Sequence, residues 1–257
     1  MDCLEGMKEL PDNSIDLVLT DPPYGTTNCS WDSIIPLETM WEQLKRITKD
    51  NSAFVFTASQ PFTTKLISSN IKMFKYCWVW EKNRGSNFGA VRFMPMKEHE
   101  DIVVFGFGKI NYHPIIQQRK GKGRDRVKYK VIARTKTENY ASSLHGERDL
   151  HCKNERCPSS IIKINTVGNG TLHPTQKPIA LMEYLIKTYS GEKDIVLDFC
   201  MGSGTTALAC LKLNRRFIGY EISEEYCKIA EKRIEGWRNQ TRLPSFDSSP
   251  HPPISVP

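Results

Sequence analysis

Residues 196–206 read Val196-Leu197-Asp198-Phe199-Cys200-Met201-Gly202-Ser203-Gly204-Thr205-Thr206, and Ala207-Leu208-Ala209-Cys210-Leu211 follow. The apolar start predicts a buried strand, the glycines predict a tight loop, and the alanine- and leucine-rich end predicts a helix. A second strand is predicted over residues 216–220, and it ends at Glu221, 19 positions after Gly202. An acidic residue about 20 positions beyond such a loop is where doubly wound sheets hold a nucleotide ribose. The stretch therefore predicts an α/β fold that binds a nucleoside-containing ligand.

The residue at the strand tip indicates which nucleoside is bound. Residues 202–207 formally match the dinucleotide fingerprint of spaced glycines. A dinucleotide, however, places its pyrophosphate at the amino end of the helix, and Asp198 at that place would repel phosphate. S-adenosyl-L-methionine carries a sulfonium and an ammonium group, both of which a carboxylate attracts. We therefore expect S-adenosyl-L-methionine as the cofactor, with an NAD-dependent oxidoreductase as the alternative.

A second motif, Asp21-Pro22-Pro23-Tyr24, follows the apolar run of residues 15–20, which reads as a buried strand. The two prolines fix φ twice and remove two backbone donors, so the loop is stiff. Its carboxylate, carbonyls and aromatic ring suit a planar group that bears an amine. Such a sequence is also a common turn former. If the chain were an NAD-dependent oxidoreductase, this motif would have no evident role.

Strands and helices alternate along the chain, which predicts a mainly parallel sheet that is covered on both faces. Such sheets bind ligands at the carboxyl ends of their strands, where both motifs lie. The predicted strands cover residues 15–20, 52–58, 76–81, 101–107, 194–199 and 216–221. The predicted helices cover residues 37–48, 60–70, 178–189, 204–213 and 223–238.

With these motifs, the chain resembles the β group of bacterial and phage DNA amino-methyltransferases, the N-4/N-6 DNA methylase family, of the Asp-Pro-Pro-Tyr type. In that group the catalytic motif precedes the glycine loop, as it does here. The third family motif is His173-Pro174-Thr175-Gln176-Lys177-Pro178, and the flanking segments 2–6 and 98–105 also match. One difference is Phe199-Cys200, where the family usually has Pro-Phe.

The resemblance implies a methyltransferase fold that is Rossmann-like and dependent on S-adenosylmethionine. Its seven-stranded, mainly parallel sheet has the circularly permuted β-group order, with the last pair of strands forming a hairpin and with a basic insertion. In the family a strand precedes the segment that matches Asp2, whereas this sequence begins at Met1. We expect that strand to be absent or the start to be misassigned.

The resemblance also implies the roles of the site residues. Asp21 and the Pro22 carbonyl accept the hydrogens of an amino group on a flipped-out base, while Tyr24 stacks on its ring; with Pro23 these are the predicted catalytic residues. Asp2 and Cys3 contact the cofactor adenine. The full set of predicted cofactor-binding residues is Asp2, Cys3, Thr175, Lys177, Asp198, Phe199, Cys200, Gly202, Ser203, Gly204, Thr205, Glu221 and Ile222.

The aspartate at position 21 favours adenine N6 as the acceptor, because the amino-cytosine group usually has Ser at that place. N4-cytosine methylation stays open, since its chemistry is the same. Protein and RNA amino-methyltransferases usually have Asn there and lack a basic insertion. Cytosine ring-carbon methylation needs a nucleophilic cysteine, typically after a proline, and no cysteine here follows one. A non-catalytic DNA-binding relic is the remaining alternative.

Positive charge is concentrated in one segment. Residues 108–165 contain 14 Lys and Arg against 5 Asp and Glu, whereas the whole chain has a net charge of +7. This segment is predicted to be an insertion that binds double-stranded DNA through its phosphates, between a catalytic half (1–107) and a cofactor-binding half (166–240), with a disordered tail (241–257). The predicted DNA-binding residues are Arg119, Lys120, Lys122, Arg124, Arg126, Lys128 and Lys130.

Composition narrows the class of protein. The eight cysteines are scattered, which indicates reduced thiols. Cys152 and Cys157 lack a partner pair with zinc-like spacing, so we expect no metal. There is no signal peptide or membrane span, which predicts an enzyme of the bacterial cytoplasm, with a phage origin open. A homodimer and a cognate restriction endonuclease that acts separately are further expectations from the family.

Overall fold

The computed structural model describes residues 1–27, 29, 32–118, 155–168, 172 and 175–242. Two compact units divide the chain: Met1–His113 together with Ser160–Pro257, and Pro114–Ser159. The seven cations predicted to bind DNA lie outside the described residues, as do residues 243–257 of the predicted tail. None of the helices described is long and apolar enough to cross a membrane.

The first unit is built around a seven-stranded sheet. Its strands are β1 (Ile15–Thr20), β2 (Thr48–Ala58), β3 (Phe74–Ser86), β4 (Lys97–Gly106), β7 (Ile161–Lys163), β8 (Ile195–Asp198) and β9 (Arg216–Gly219). Its helices are α1 (Cys3–Lys8), α2 (Leu37–Ile47), α3 (Phe62–Ser69), α4 (Ile179–Tyr189), α5 (Thr205–Lys212) and α6 (Glu224–Arg242). In the second unit, β5 (Gln117–Gln118) pairs with β6 (Glu155–Arg156).

The strand order is β7-β3-β4-β2-β1-β8-β9. Only β4 runs antiparallel to its neighbours β2 and β3, so the sheet is mainly parallel and the predicted fold class is confirmed. The six predicted strands and five predicted helices are all present. Because β1 and β8 are adjacent and parallel, the two sequence motifs leave the sheet side by side.

One expectation about the strands was wrong. The last two strands of the sheet, β8 and β9, are parallel, and the hairpin is formed instead by β3 and β4 in the middle of the chain. Consecutive strands that run parallel must be joined by a crossover connection, which α5 supplies between β8 and β9. The seventh strand, β7, lies in the segment predicted to be an insertion and pairs in parallel with β3.

Both faces of the sheet are buried, which explains the nearly continuous apolar runs in β1, β2 and β4. Along β2, Phe54 and Phe56 pack with helices α2 and α3 on one face, while Ala53 and Val55 pack with α4 and α5 on the other. On the first face the ring of Trp41 meets Phe105 edge-on, with centroids 4.9 Å apart. This two-sided packing fixes where each strand ends, and therefore where the loops that carry the motifs begin.

Helix α1 was not predicted, because its six residues are too few to show a helical period. Its stability comes from both ends. The Asp2 carboxylate accepts hydrogen bonds from the amides of Leu4 (2.8 Å) and Glu5 (3.2 Å) at the amino end. At the other end, the Arg46 guanidinium donates to the carbonyl of Met7 at 2.8 Å. The helix places Asp2 and Cys3 beside the tip of β8.

Candidate active site

A cavity of about 970 Å³ opens at the carboxyl ends of β1 and β8, within the first unit. Sixteen of the seventeen residues predicted for catalysis and cofactor binding line it, whereas Gly204 does not. The lining predicted residues are Asp2, Cys3, Asp21, Pro22, Pro23, Tyr24, Thr175, Lys177, Asp198, Phe199, Cys200, Gly202, Ser203, Thr205, Glu221 and Ile222.

The glycine loop is shaped by backbone conformations that favour glycine. Gly202 and Gly204 have φ of 52° and 79°, in the left-handed region that side chains rarely adopt. A Cβ at Gly204 would also lie 2.9 Å from the Cβ of Ala230 in α6. Gly204 therefore caps α5 and allows α6 to pack closely. The loop residues that line the cavity are its neighbours Gly202, Ser203 and Thr205.

Asp198 at the tip of β8 is a buried carboxylate. Burial raises its pKa to about 6, although hydrogen bonds from Thr206 and Thr20 act in the opposite direction. The Thr20 hydroxyl donates to Oδ1 at 2.8 Å, and the Cys200 amide donates to the same oxygen at 3.2 Å. A carboxylate held in this way, at the wall of a cavity, suits a ligand that brings a positive charge.

Glu221, at the end of β9, is oriented by two backbone amides. Gly202 donates to Oε2 at 2.8 Å, and Ser223 donates to Oε1 at 2.9 Å. Each carboxylate oxygen has a second lone pair, so both oxygens can still accept a hydrogen bond from ligand hydroxyl groups. The two acceptor carboxylates of Asp198 and Glu221, together with the glycine loop, therefore fit S-adenosyl-L-methionine, with its sulfonium, ammonium and ribose groups.

The thiols of Cys3 and Cys200 meet between α1 and the tip of β8. A hydrogen bond between them lowers the pKa of Cys3 and raises the pKa of Cys200. Phe199, beside them, is buried in the core and contacts Phe56 edge-on at 6.2 Å between centroids. The Phe-Cys pair thus gives this wall of the cavity an apolar surface, which suits the flat ring of a purine.

The Asp-Pro-Pro-Tyr turn opens into the same cavity from the end of β1. The Tyr24 hydroxyl donates to Asp21 Oδ1 at 2.8 Å, and the Thr57 hydroxyl donates to the same oxygen. Burial and the nearby charge of Asp21 raise the pKa of Tyr24 well above its usual value, so the phenol stays neutral. The Tyr24 ring stacks on Phe62, with centroids 5.4 Å apart. Asp21 is therefore a rigidly oriented acceptor.

A buried lysine engages the other oxygen of Asp21. The Lys177 ammonium donates to Asp21 Oδ2 at 2.6 Å and lies 3.4 Å from Glu100 Oε2. Burial alone would lower the pKa of Lys177, but the charges of Asp21 and Glu100 raise it above its usual value. Glu100 Oε1 in turn pairs with Lys82 at 3.2 Å. Lys177 was predicted to be a cofactor-binding residue; here its ammonium contacts the catalytic turn.

Several residues of the site were not singled out from the sequence. Glu100 lies within the matched segment 98–105, but nothing in that segment gave it a function. Asp32 accepts hydrogen bonds from the amides of Gly25 (2.8 Å) and Thr27 (2.6 Å), and so fixes the loop after the catalytic turn. Although burial acts to raise it, the pKa of Asp32 is lowered by hydrogen bonds from the Thr27 side chain and from the amides of the loop. Among the described residues, no group of acidic, His and Cys side chains is arranged to hold a metal.

We expect Asp198→Asn to stabilise the ligand-free protein at pH 7.5. The folded-state pKa of Asp198 is about 6, against a usual 3.8. This residue therefore favours folding fully below about pH 3.8, and that contribution is lost as the pH rises through about 6. The amide removes the cost of a buried charge, which is on the order of 3 kcal/mol above pH 7.

Urea unfolding at about pH 4.5 and about pH 7.5 measures this effect, since the stability difference from the unaltered chain should shrink at the lower pH. Asp50→Asn, at an exposed carboxylate, is the control and should change little at either pH. An Asp198→Asn protein no more stable than the unaltered chain at pH 7.5 would contradict the expectation.

The chain matches known proteins over nearly its whole length. A family model described as DNA methylase, covering N6 and N4 enzymes, matches residues 15–232. The chain is 30% identical to the Type II methyltransferase M.HpaI of Haemophilus parainfluenzae, over 95% of this chain and 74% of that protein. It is 28% identical to the Type II methyltransferase M1.MboII of Moraxella bovis, over 90% of this chain and 93% of that protein.

Solved structures agree with this match. The M1.HpyAVI–SAM complex superposes with a TM-score of 0.59 at 27% identity, covering 91% of this chain and 96% of that one. The cytosine-N4-specific PvuII DNA methyltransferase has a TM-score of 0.62 at 16% identity, with 93% and 90% covered, which shows a shared fold. These matches confirm the resemblance seen in the sequence. The chain belongs to the N6/N4 DNA methylase family of S-adenosylmethionine-dependent DNA methyltransferases.

Proposed function

We propose that this DNA methyltransferase acts on the N6 amino group of adenine. The observation that carries the proposal is the Asp21 carboxylate, which faces the same cavity as Asp198 and Glu221. A carboxylate accepts hydrogen bonds from an amino group, whereas the Ser that is usual in the amino-cytosine group is also a donor. N4-cytosine is the alternative, because the fold is shared with a cytosine-N4-specific enzyme.

The target base would be flipped out of duplex DNA, since its amino group is otherwise out of reach. Asp21 and the Pro22 carbonyl would accept the amino hydrogens and direct the nitrogen lone pair toward the donor. Tyr24, neutral and tied to Asp21, would hold the base ring by stacking. S-adenosyl-L-methionine, when bound, supplies the methyl group. Acceleration would come mainly from positioning and electrostatics.

Asp198, Glu221 and Gly202 would hold the charged and hydroxylated parts of the cofactor, while Asp2 and Cys3 would contact its adenine. Asp2 already caps α1 through one carboxylate oxygen, Oδ1, so an adenine amino group would meet a carboxylate that is fixed in place. Besides contacting the cofactor, Lys177 would balance the charge of Asp21 with its ammonium.

The assignments outside the described residues rest on the sequence alone. The cations from Arg119 to Lys130 would bind DNA phosphates as part of the basic segment 108–165. A homodimer, a separate cognate restriction endonuclease and a place in the bacterial cytoplasm also belong to the proposal by resemblance.

The proposal predicts the modified nucleoside. The purified chain is incubated with unmethylated duplex DNA and labelled S-adenosyl-L-methionine, and the digested nucleosides are identified by mass spectrometry. We expect N6-methyladenine. N4-methylcytosine would overturn the choice of base and keep the family chemistry, whereas unlabelled DNA with bound cofactor would argue for the non-catalytic alternative.

Asp21→Ala should abolish transfer while leaving cofactor affinity largely unchanged. The carboxylate is the acceptor for the amino group, and loss of one such preorganised group costs about 10²–10³ in kcat. Single-turnover methylation gives the rate, and calorimetry with S-adenosyl-L-methionine gives the affinity. Asp21→Asn, of nearly the same shape, controls for packing and should be almost as slow. Near-normal methylation by either variant would remove Asp21 from the mechanism.

Glu100→Gln should slow transfer by about tenfold or more, which is about 1.4 kcal/mol. Glu100 and Asp21 both pair with the Lys177 ammonium. Neutral Gln at position 100 would leave the ammonium paired with Asp21 alone, so the Asp21 carboxylate would be less available to accept a hydrogen bond from the target amino group. Cofactor affinity should not change. Glu98→Gln, at an exposed position on the same strand, is the matched control. Equal rates for the two variants would show that Glu100 does not position the acceptor.

A further inference from the structure

The turn that joins β3 to β4 carries an unusual exposed surface. We call residues 84–97 the hairpin tip. Phe93 is 87% exposed and Phe88 is 68% exposed. Three more apolar side chains of the tip are also exposed, at Val91, Met94 and Met96. Contiguous apolar side chains on a protein surface mark sites of interaction.

Hydrogen bonds within the tip fix its backbone, so this exposure is part of an ordered structure. Ala90 N donates to the Asn87 carbonyl at 3.0 Å, and the amides of Phe93 and Met94 donate to the Ala90 carbonyl at 2.9 and 3.0 Å. The Asn87 side-chain amide contacts Met94 Sδ at 2.9 Å. The apolar side chains are therefore presented outward on a preformed turn, which lowers the entropic cost of binding a partner.

The charge of the tip selects the kind of partner. The hairpin tip contains three cations (Arg84, Arg92 and Lys97) and no carboxylate. Arg84 and Arg92 are exposed. Cations beside apolar and aromatic side chains are the pattern that proteins use on nucleic acids, where the cations bind phosphates and the apolar groups contact or wedge between bases.

The tip is also continuous with the cavity. Ser86 and Lys97 of the tip line the cavity, together with Lys82 on β3 and Glu100 farther along β4. A base that enters the cavity would therefore leave its duplex next to this surface. Two copies of the tip brought together would instead place their cations against each other, which is unfavourable without intervening anions.

We propose that the hairpin tip contacts duplex DNA beside the flipped nucleotide. Arg84 and Arg92 bind phosphates, while Phe88 and Phe93 contact the bases that adjoin the vacated position. The inference rests on the proposed function, and it assigns DNA contacts to a segment apart from the basic stretch of residues 119–130.

The test compares two adjacent pairs of residues, each made of one cation and one exposed apolar side chain. The double variant Arg92→Gln/Phe93→Ser alters the tip. The control, Ile71→Ser/Lys72→Gln, alters exposed residues at the opposite end of β3 that do not line the cavity. Affinity for a fluorescein-labelled duplex that the unaltered chain methylates is measured over a salt series, and calorimetry with S-adenosyl-L-methionine verifies that each variant is folded.

We expect the tip variant to bind the duplex at least about tenfold more weakly, with a salt slope lower by about 1, and to retain its cofactor affinity. The control should match the unaltered chain. Normal DNA affinity of the tip variant, with methylation by the unaltered chain intact, would overturn this inference alone. If the tip variant bound DNA normally but sedimented in the ultracentrifuge with a different mass from the unaltered chain, the inference would be overturned in favour of self-association through the tip. Failure of the unaltered chain to bind or methylate any duplex would overturn the proposed function as well.

Discussion

The placement of one buried ammonium group governs the catalytic side of this cavity. Lys177 is 7% exposed, and a buried charge costs several kcal/mol unless it is paired. Its partners Asp21 and Glu100 come from the end of β1 and from β4, and Lys177 itself precedes α4. The ion pairs therefore join segments up to 156 positions apart in the sequence. Any arrangement of the sheet that separated these segments would leave a buried charge unpaired.

Six strands could be predicted from the sequence because each of them has a strong local signal. The apolar run before Asp21 and the strand–loop–helix pattern around Gly202 each need only a short window of sequence. Two elements lacked such a signal. The apolar run of β7 is only two residues long, and only Ile162 is buried, so the strand is defined by its parallel pairing with β3. Helix α1 depends on Arg46, a contact that no local pattern reveals.

The site was predictable as a set of residues and less so as a set of contacts. Sequence motifs brought Asp21, Lys177 and Asp198 to one cavity, because the carboxyl ends of parallel strands meet at one edge of the sheet. The pairing of Lys177 with Asp21 and Glu100 depends on the register of the β3–β4 hairpin. Strand alternation puts Glu98 and Glu100 on the same face, and only that register decides which of them reaches the ammonium. In the observed register Glu100 lies opposite Trp80, and its Oε2 lies 3.4 Å from the Lys177 ammonium.

The same hairpin links the interior of the site to its surface. β3 and β4 supply Lys82, Ser86, Lys97 and Glu100 to the cavity, and the turn between them presents Phe93 to solvent. The two strands pair at Ser86–Lys97 beside the tip and at Trp80–Glu100 farther in, so a displacement of the tip would be transmitted to Glu100, and Glu100 shares the ammonium that engages Asp21. On the function proposed above, contact of the tip with DNA would therefore be coupled, through one carboxylate and one ammonium, to the acceptor that awaits the base. On this view the β3–β4 hairpin carries both the polar network around Glu100, inside the cavity, and the apolar tip that would meet the DNA.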